Sequence, residues 1–311
     1  MKNIVRKTAA LSVGLALVLT ATACNRGEAS AEGGKVTMAI STLNNLFFVD
    51  VRDGAQEEAA KAGIELTIVD AQNDSATQAN QLATAATDGS LGVIVNAVDS
   101  DAASAALSPV VSADLPIVAV DRSVGDTKVA SFVASDNVAG GEQAATAMAE
   151  KLGGKGKIII LEGVPGASST NERGEGFTKG LTAFPNIEIV SSQPANYDRA
   201  KALDVATNLL QGNPQVAGVL AMNDEMALGA IQALGDKAGK SVSVVGFDGT
   251  TDGFTAVEKG TLLATIAQNP AELGRQSVQI VSETLAGKDV DANVAVAVDT
   301  VNAKNISEYT K

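Results

Sequence analysis

Histidine is absent from the 311-residue sequence, and cysteine occurs only once. Without histidine, the chain lacks the side chain that serves most often as a general base and as a zinc ligand. A single cysteine excludes a disulfide within the monomer. These absences exclude histidine-dependent triads, thiol chemistry and typical zinc sites, so that any catalysis would depend on carboxylates. We expect neither a metal nor a cofactor.

Basic residues are also scarce, with 23 Lys and Arg against 36 Asp and Glu. The apparent export signal carries three of the basic residues and no acid, so the remaining chain has 20 basic and 36 acidic residues, a net charge of −16. Such a surface repels phosphate backbones, and we therefore expect no nucleic-acid partner. Aromatic side chains number only nine, seven Phe and two Tyr.

The N-terminus has the layout of a secretory signal. Lys2, Arg6 and Lys7 form a short positive region, and residues 8–22 are apolar and uncharged. This run is too short, and flanked in the wrong way, for an ordinary transmembrane helix. Cys24 follows small residues, as at a bacterial lipoprotein cleavage site. We predict export from the cytoplasm, with residues 1–23 as the signal peptide.

Cys24 is expected to be a lipid attachment point rather than a nucleophile. The usual leucine three residues before the cysteine is replaced by Ala21, so ordinary signal cleavage beside a stray thiol is the alternative. Residues 24–34 are polar and rich in Gly, Ala and Ser, which is typical of a flexible tether. We expect the chain to lie outside the cytoplasmic membrane, on its outer face or in a periplasm, and to touch the membrane only through this anchor.

Apolar strand-like runs alternate with Ala-rich helical stretches from residue 36 onward. This alternation indicates α/β architecture with parallel sheets covered on both faces. About ten strands are predicted, more than one small doubly wound domain needs, so we expect two similar doubly wound parallel-sheet domains. Helices are predicted to begin at Val49, Gly141 and Glu172, among others, and Val294–Val298 is predicted as the closing strand.

Polar and aromatic side chains follow the predicted strands. Ligands bind at the carboxyl ends of strands in open parallel sheets, so these residues are the candidates for a binding site. They are Asn45, Phe47 and Phe48 after the first strand, Asp121, Arg122, Asn223, Asp248 and Gln268 after later ones, and Arg173 and Tyr197 in or beside neighbouring turns.

This set suits a polyol. Each sugar hydroxyl donates one hydrogen bond and accepts two, which carboxylates, amides and guanidinium groups can match. The C–H faces of a sugar ring pack against aromatic rings. Two acids, Asp121 and Asp248, balance two bases, Arg122 and Arg173, so a neutral ligand fits better than an anion.

Each candidate also has a structural interpretation. Asp121 with Arg122 could form a solvated turn pair, and Asp248 could be a turn former. Asn223 and Asp224 could both cap a helix, with the cap favoured for Asp224 and the ligand for Asn223. Arg173 could pair with Glu172 and Glu175 on a helix surface. Phe47 and Phe48 could belong to the core, and Gln268 alone is uninformative.

Several blocks of sequence resemble the bacterial ribose-binding proteins, which are sugar-binding periplasmic proteins of type I fold. The resemblance covers about residues 35 to 287. The blocks are STLNNLFF (41–48), VDR (120–122), ASDN (134–137), NERGEGF (171–177), QPANYD (193–198), NDEMALGA (223–230), VGFDGT (245–250) and ATIAQ (264–268).

The resemblance implies two domains joined by three crossovers, a closing cleft, and delivery of the sugar to an ABC-type permease by a monomeric protein. We place the domains at residues 35–135 with 269–297 and at residues 136–268 with 298–311. By motif, the candidate residues above become the ligand residues.

Tyr197 takes the place of a family Phe, Leu46 that of a family Pro, and the tail from about Ala292 matches poorly. Lactose-type repressors share the core fold, but an export signal stands where they carry a DNA-binding domain.

Two other readings remain open. A sugar hydrolase could use Asp121 and Asp248, although Arg122 is expected to lower the pKa of Asp121 and so to disfavour an acid role. A ligand-presenting protein for a chemoreceptor is the second, because it would use the same closed form. A sugar close to ribose, such as allose, is the alternative ligand.

Overall fold

The computed structural model describes residues 34–310. The predicted signal peptide, Cys24 and nearly all of the predicted tether lie outside these residues. Within the described range, strands and helices alternate as the sequence predicts, and the chain forms two lobes, each built on its own six-stranded sheet.

The first lobe contains one sheet with helices on both faces. Its strands are β1 Lys35–Ile40, β2 Glu65–Asp70, β3 Gly92–Val95, β4 Ile117–Val120, β5 Ser131–Ser135 and β11 Asn293–Val296. Its helices are α1 Leu46–Ala62, α2 Ser75–Ala85, α3 Ser100–Ser112 and α9 Pro270–Leu285. Met38 and Ile40 of β1 pack on one face of the sheet and Ala39 on the other, so the strand is buried on both sides.

The second lobe repeats this arrangement. Its strands are β6 Lys155–Glu162, β7 Asn186–Pro194, β8 Val216–Ala221, β9 Ser243–Asp248, β10 Ala264–Ala267 and β12 Asp299–Asn302. Its helices are α4 Asn137–Lys151, α5 Ser168–Leu181, α6 Arg199–Gly212, α7 Asp224–Leu234 and α8 Thr251–Glu258. A continuous apolar core, with Phe177 and Phe247 as its largest fully buried side chains, fills the space between sheet and helices.

Both sheets are doubly wound. The strand orders are β11-β5-β4-β3-β1-β2 and β12-β10-β9-β8-β6-β7. In each lobe the first strand lies between the second and the third, so the direction of winding reverses between β1 and β3 and between β6 and β8. The carboxyl ends of strands beside such a reversal form a crevice where ligands bind.

The chain passes between the lobes three times, after β5, after β10 and between β11 and β12. Helix α4 follows β5 of the first lobe but packs on the second sheet, and α9 follows β10 of the second lobe but packs on the first sheet. The first two crossings therefore each lie between a strand and the helix that follows it. The predicted single closing strand Val294–Val298 was wrong: two short strands lie on either side of the last crossing, and β12 pairs antiparallel with β10. Apolar alternation alone did not show the break at residues 297–298.

Three helices begin one turn earlier than predicted. Helix α1 begins at Leu46 rather than Val49, α4 at Asn137 rather than Gly141, and α5 at Ser168 rather than Glu172. Asn45 and Asp136 cap two of these turns by accepting hydrogen bonds from backbone N–H groups.

Helices α1 and α9 approach each other closely through Gly54 and Gly274. A Cβ atom on Gly274 would lie 2.0 Å from the carbonyl oxygen of Val51, and one on Gly54 would lie 2.1 Å from that of Ala271. The helix that follows the second crossing is thereby fixed against the helix that begins beside Asn45. No helix within residues 34–310 is both long and apolar enough to cross a bilayer.

Candidate functional site

A small cavity lies where the carboxyl ends of the two sheets face each other. Its wall brings together nine of the ten predicted site residues, and Ser169 in addition. The first lobe contributes Asn45, Phe47, Phe48, Asp121 and Arg122, and the second contributes Ser169, Arg173, Tyr197, Asn223 and Asp248.

Asp121 and Asp248 have unusual backbone conformations. Their φ angles are 65° and 121°, in a region that favours glycine. Such conformations cost of order 1–3 kcal/mol and persist only where the surrounding structure imposes them. Both carboxylates are also buried, at 3% and 5% exposure, which excludes the alternative of a solvated turn pair for Asp121 with Arg122.

Asn96, which directly follows β3, orients Asp121. The Asn96 side chain is fully buried and donates a hydrogen bond of 3.2 Å to Asp121 Oδ2. Its own oxygen accepts from the backbone N–H and the hydroxyl of Ser41. Ser41, which follows β1, thus fixes the orientation of the Asn96 amide, and the amide in turn fixes the carboxylate of Asp121 after β4.

Arg122 lies between two aromatic rings. Its guanidinium carbon is 5.3 Å from the centre of the Phe48 ring and 5.6 Å from that of Tyr197. Nη1 donates to the carbonyl oxygens of Ala97 and Val98. Nε is buried and has no hydrogen-bond partner within the described chain, so it remains available to a ligand oxygen.

Arg173 is held from three sides. Its Nε donates to Asn137 Oδ1 at 2.9 Å and its Nη1 to the Met222 carbonyl at 2.5 Å. The guanidinium carbon lies 3.7 Å above the centre of the Phe247 ring, and Nη1 is 3.6 Å from Asp248 Oδ1. The alternative of a surface pair with Glu172 and Glu175 was wrong, because the side chain is buried and faces the cleft.

Gln268 is the predicted site residue that does not line the cavity. Its Nε2 donates to Asp248 Oδ1 at 2.7 Å, while its backbone N–H donates to the Asp248 carbonyl. Gln268 therefore positions the Asp248 side chain without lining the cavity itself.

Asn223 and Asp224 have different roles. Asn223 caps α7 by accepting from the Met226 N–H, and its Nδ2 is buried without a partner among residues 34–310. Asp224 does not cap the helix, so the cap favoured for it was wrong. Its carboxylate is fully buried and accepts from the N–H and hydroxyl of Thr250 and from the hydroxyl of Thr265. These bonds fix the segment that follows Asp248.

Burial controls the ionisation of these carboxylates. It raises the pKa of Asp121, and the opposing guanidinium groups of Arg122 and Arg173 do not reverse the shift, so the expected lowering was wrong. Burial also raises the pKa of Asp248 well above its usual range, although the nearby guanidinium group of Arg173 acts to lower it. Burial raises the pKa of Asp224 to about 6, although the hydrogen bonds from Thr265 and Thr250 act to lower it. Removal of a carboxylate from water disfavours its charged form, and a buried cation offsets only part of that cost.

The aromatic side chains of the first lobe serve both the core and the cavity. Phe47 and Phe48 meet edge to face at 5.2 Å between ring centres, and both pack in the apolar cluster of that lobe as well as lining the cavity. Asn45 accepts from the Phe47 N–H, so one residue caps α1 and reaches the site. The core alternative is confirmed for the two rings, which line the cavity as well.

The rims of the two lobes touch. The Ser100 N–H donates to the Gly166 carbonyl, and the Ser168 N–H donates to Ser100 Oγ. The Ser123 N–H donates to Ser168 Oγ at 2.9 Å. These bonds join the start of α3 and the loop after β4 to the start of α5, so the cleft is closed.

Sequence reasoning missed three residues of the site, namely Asn96, Asn137 and Ser169. Asn137 stands in one of the blocks that carry the family resemblance, which was a usable signal. Asn96 was hidden at the end of an apolar strand. Ser169 lies in a helical first turn that the apolar pattern did not reveal. Among residues 34–310, acidic side chains form no cluster of three that could hold a metal.

Comparison with known proteins places this geometry in a family. The model of the periplasmic binding protein domain matches residues 36–289. The ribose import binding protein of Escherichia coli is 44% identical over 84% of this chain and 88% of its own length. That of Haemophilus influenzae is 38% identical over 97% of this chain and all of its own length.

Solved structures agree with the sequence relatives. An ABC transporter solute binding protein from Bacillus halodurans, with bound myo-inositol, superimposes with a TM-score of 0.84 at 30% identity over 90% of this chain and 98% of its own. The residues that the family model matches include every residue that lines the cavity. The chain therefore belongs to the periplasmic binding protein family.

Proposed function

We propose that this protein captures a monosaccharide, D-ribose in the first place, between two closing domains and delivers it to the permease of an ABC transporter. The domains are residues 35–135 with 269–297 and residues 136–268 with 298–311, and the protein acts as a monomer. The observation that carries the proposal is a buried, charge-balanced cavity whose polar groups come from the strand ends of both lobes.

The unpaired donors of the cavity suit sugar hydroxyls. Arg122 Nε and Asn223 Nδ2 lie on opposite lobes and are buried without partners in the described chain. A buried polar atom left without a partner costs about 1–3 kcal/mol. Hydroxyl groups of one small ring that reached both atoms would satisfy both lobes together and so favour the closed form.

The relatives support ribose over other sugars. The ribose import binding proteins of Escherichia coli and Haemophilus influenzae are 44% and 38% identical to this chain, whereas the D-allose-binding periplasmic protein of Escherichia coli is 33% identical. Binding of a close relative such as allose is the alternative, and the hydroxyl of Tyr197 would be its structural basis. That hydroxyl lies 2.9 Å from Thr170 Oγ1 and is thus engaged by the protein. The family consists of transport components rather than enzymes, so a sugar hydrolase is not supported.

Calorimetry against D-ribose, D-allose, D-arabinose and D-glucose tests the ligand. A pentose has about ten heavy atoms, and the best small ligands reach about −1.5 kcal/mol per atom. A micromolar dissociation constant needs only about −8 kcal/mol, so we expect micromolar or tighter binding of D-ribose. X-ray scattering should show a smaller radius of gyration on saturation with D-ribose, because we expect the two lobes to separate and the rim contacts at Ser100 and Ser168 to break when no sugar is bound. Millimolar binding of all four sugars would contradict the proposal.

The N-terminus supports a second part of the proposal, that Cys24 carries a lipid and anchors the protein on the outer face of the cell membrane. We expect cells grown with labelled palmitate to incorporate label into this protein, and the protein to sediment with membranes. The variant Cys24→Ser should lose the label and leave the membrane fraction. Label retained by the variant, or a soluble wild-type protein, would contradict the anchor and leave sugar capture intact.

A further inference from the structure

A chain of hydroxyl groups leads from the cavity wall into the second lobe. Ser169, near the start of α5, lines the cavity and is 2% exposed. Its Oγ lies 3.3 Å from the hydroxyl oxygen of Tyr197, which lies 2.9 Å from Thr170 Oγ1. Thr170 Oγ1 in turn lies 2.9 Å from the carbonyl oxygen of Val164.

The carbonyl at the inner end fixes the direction of every bond in this chain. A carbonyl oxygen only accepts, so the single hydroxyl proton of Thr170 is donated to Val164. Thr170 Oγ1 must then accept from Tyr197, whose only hydroxyl proton is thereby engaged. The oxygen of Tyr197 can still accept, and Ser169 is the group that donates to it. The lone pairs of Ser169 Oγ remain for the cavity.

The backbone and a glycine fix the position of the Tyr197 ring. A Cβ atom on Gly163 would lie 2.1 Å from Tyr197 Cζ and 2.4 Å from its hydroxyl oxygen, so the tip of the ring occupies space that only glycine leaves free. Asn196 and Tyr197 have φ angles of 59° and 58°, an uncommon conformation for residues with a side chain. Together they hold the hydroxyl against Thr170.

We infer that Ser169 Oγ is a hydrogen-bond acceptor of the binding site, which selects ligands that present a hydroxyl donor to it, and that Tyr197 is its positioning residue. The inference rests on the proposed capture of a monosaccharide and specifies one contact of that site. Any polyol with a hydroxyl at this place satisfies Ser169. A sugar in which that hydroxyl is replaced by hydrogen leaves the oxygen buried without a donor, which selects against it.

The experiment compares D-ribose with 2-deoxy-, 3-deoxy- and 5-deoxy-D-ribose by calorimetry. Ser169→Ala should lower the affinity for D-ribose about tenfold, which corresponds to about 1.4 kcal/mol. One of the deoxy sugars should bind the wild type more weakly than D-ribose does and should be unaffected by Ser169→Ala, because it lacks the hydroxyl that the serine contacts. Thr178→Ala is the matched control, since this exposed hydroxyl of the same helix bonds only to the Gly174 carbonyl, and it should change no affinity.

Tyr197→Phe provides a second, independent readout. Without the phenol oxygen, Ser169 loses its fixed acceptor and its proton can turn toward the cavity. D-ribose should therefore weaken about two- to fivefold in the Tyr197→Phe protein, and the loss should vanish in the Ser169→Ala background, since coupled positions are not additive. Melting temperatures would show that all variants are folded.

Three outcomes overturn the inference. One is a change of less than twofold in D-ribose affinity on Ser169→Ala with micromolar binding in the wild type, which leaves the proposed function intact. Another is an equal loss for D-ribose and all three deoxy sugars, which indicates general damage to the site. The third is an equal effect of Tyr197→Phe in both backgrounds. If the wild type binds none of these sugars, the proposed function fails, and this contact with it.

Discussion

Asp248→Ala should weaken D-ribose binding by a hundredfold or more, which corresponds to about 2.7 kcal/mol or more. Asp248 is 5% exposed, lies on the cavity wall, and is held by Gln268 at 2.7 Å. Hydrogen bonds to a charged group contribute about 1.5–3 kcal/mol each, and a carboxylate can accept from two sugar hydroxyls. Calorimetry with D-ribose measures the loss.

The folded state should tolerate this change. Burial raises the pKa of Asp248, so the ionised carboxylate is costly to bury and its removal relieves that cost. Arg173, however, is left buried without this partner, so we expect a folded protein with a lower melting temperature without ligand. Asp236→Ala is the matched control, because the Asp236 side chain is fully exposed beside Lys240, and it should leave binding unchanged. An unaltered dissociation constant in Asp248→Ala would remove this residue from the site.

Arg173→Met should lower the free energy of unfolding by about 3–5 kcal/mol near neutral pH, the usual cost of leaving a buried charge without its partner. It should also abolish measurable binding of D-ribose. Methionine keeps an unbranched apolar stem but donates nothing to Asn137 Oδ1 or the Met222 carbonyl. Denaturant unfolding at pH 5 and pH 8 measures the effect.

The pH dependence identifies the cause. Arg173 lowers the pKa of Asp248, so its removal raises that pKa further. At a pH below the raised pKa the carboxyl is protonated and needs no cation, and the loss of stability should therefore be smaller at pH 5 than at pH 8. Arg173→Lys keeps the positive charge but not the planar set of N–H donors, so its free energy of unfolding should lie between those of Arg173→Met and the wild type. Arg52→Met removes a half-buried arginine that pairs with Asp53 and should show neither effect. Equal losses at both pH values would point to packing rather than charge.

The direction of the pKa shift at Asp121 was the clearest failure of sequence reasoning. Adjacent charges along the chain suggested that Arg122 would lower the pKa of Asp121. In the structure the side chains are 3.6 Å apart, but both are almost completely buried, and burial raises the pKa of Asp121. Sequence adjacency reveals a nearby cation, whereas desolvation depends on everything packed around the pair.

The sequence by itself determined the architecture and the chemical character of the site. Apolar strands between amphipathic helices predicted parallel sheets buried on both faces, and the residues after those strands were found at the crevice because the topology of a doubly wound sheet brings the strand ends to one edge. The amide, carboxylate and guanidinium groups at these positions then indicated a neutral polyol. No knowledge of contacts was needed for either step.

Only the tertiary structure decided which polar atoms face the cavity and which support them. Gln268 follows a strand like Asp248 but lies behind it, and Asp224 follows Asn223 but anchors the next loop. Ser169 reaches the cavity from a helical first turn, where polar residues show no apolar periodicity for a sequence pattern to reveal. A pattern read along the chain records which residues lie near a strand end, but the direction of a side chain depends on backbone angles and on neighbours contributed by distant segments.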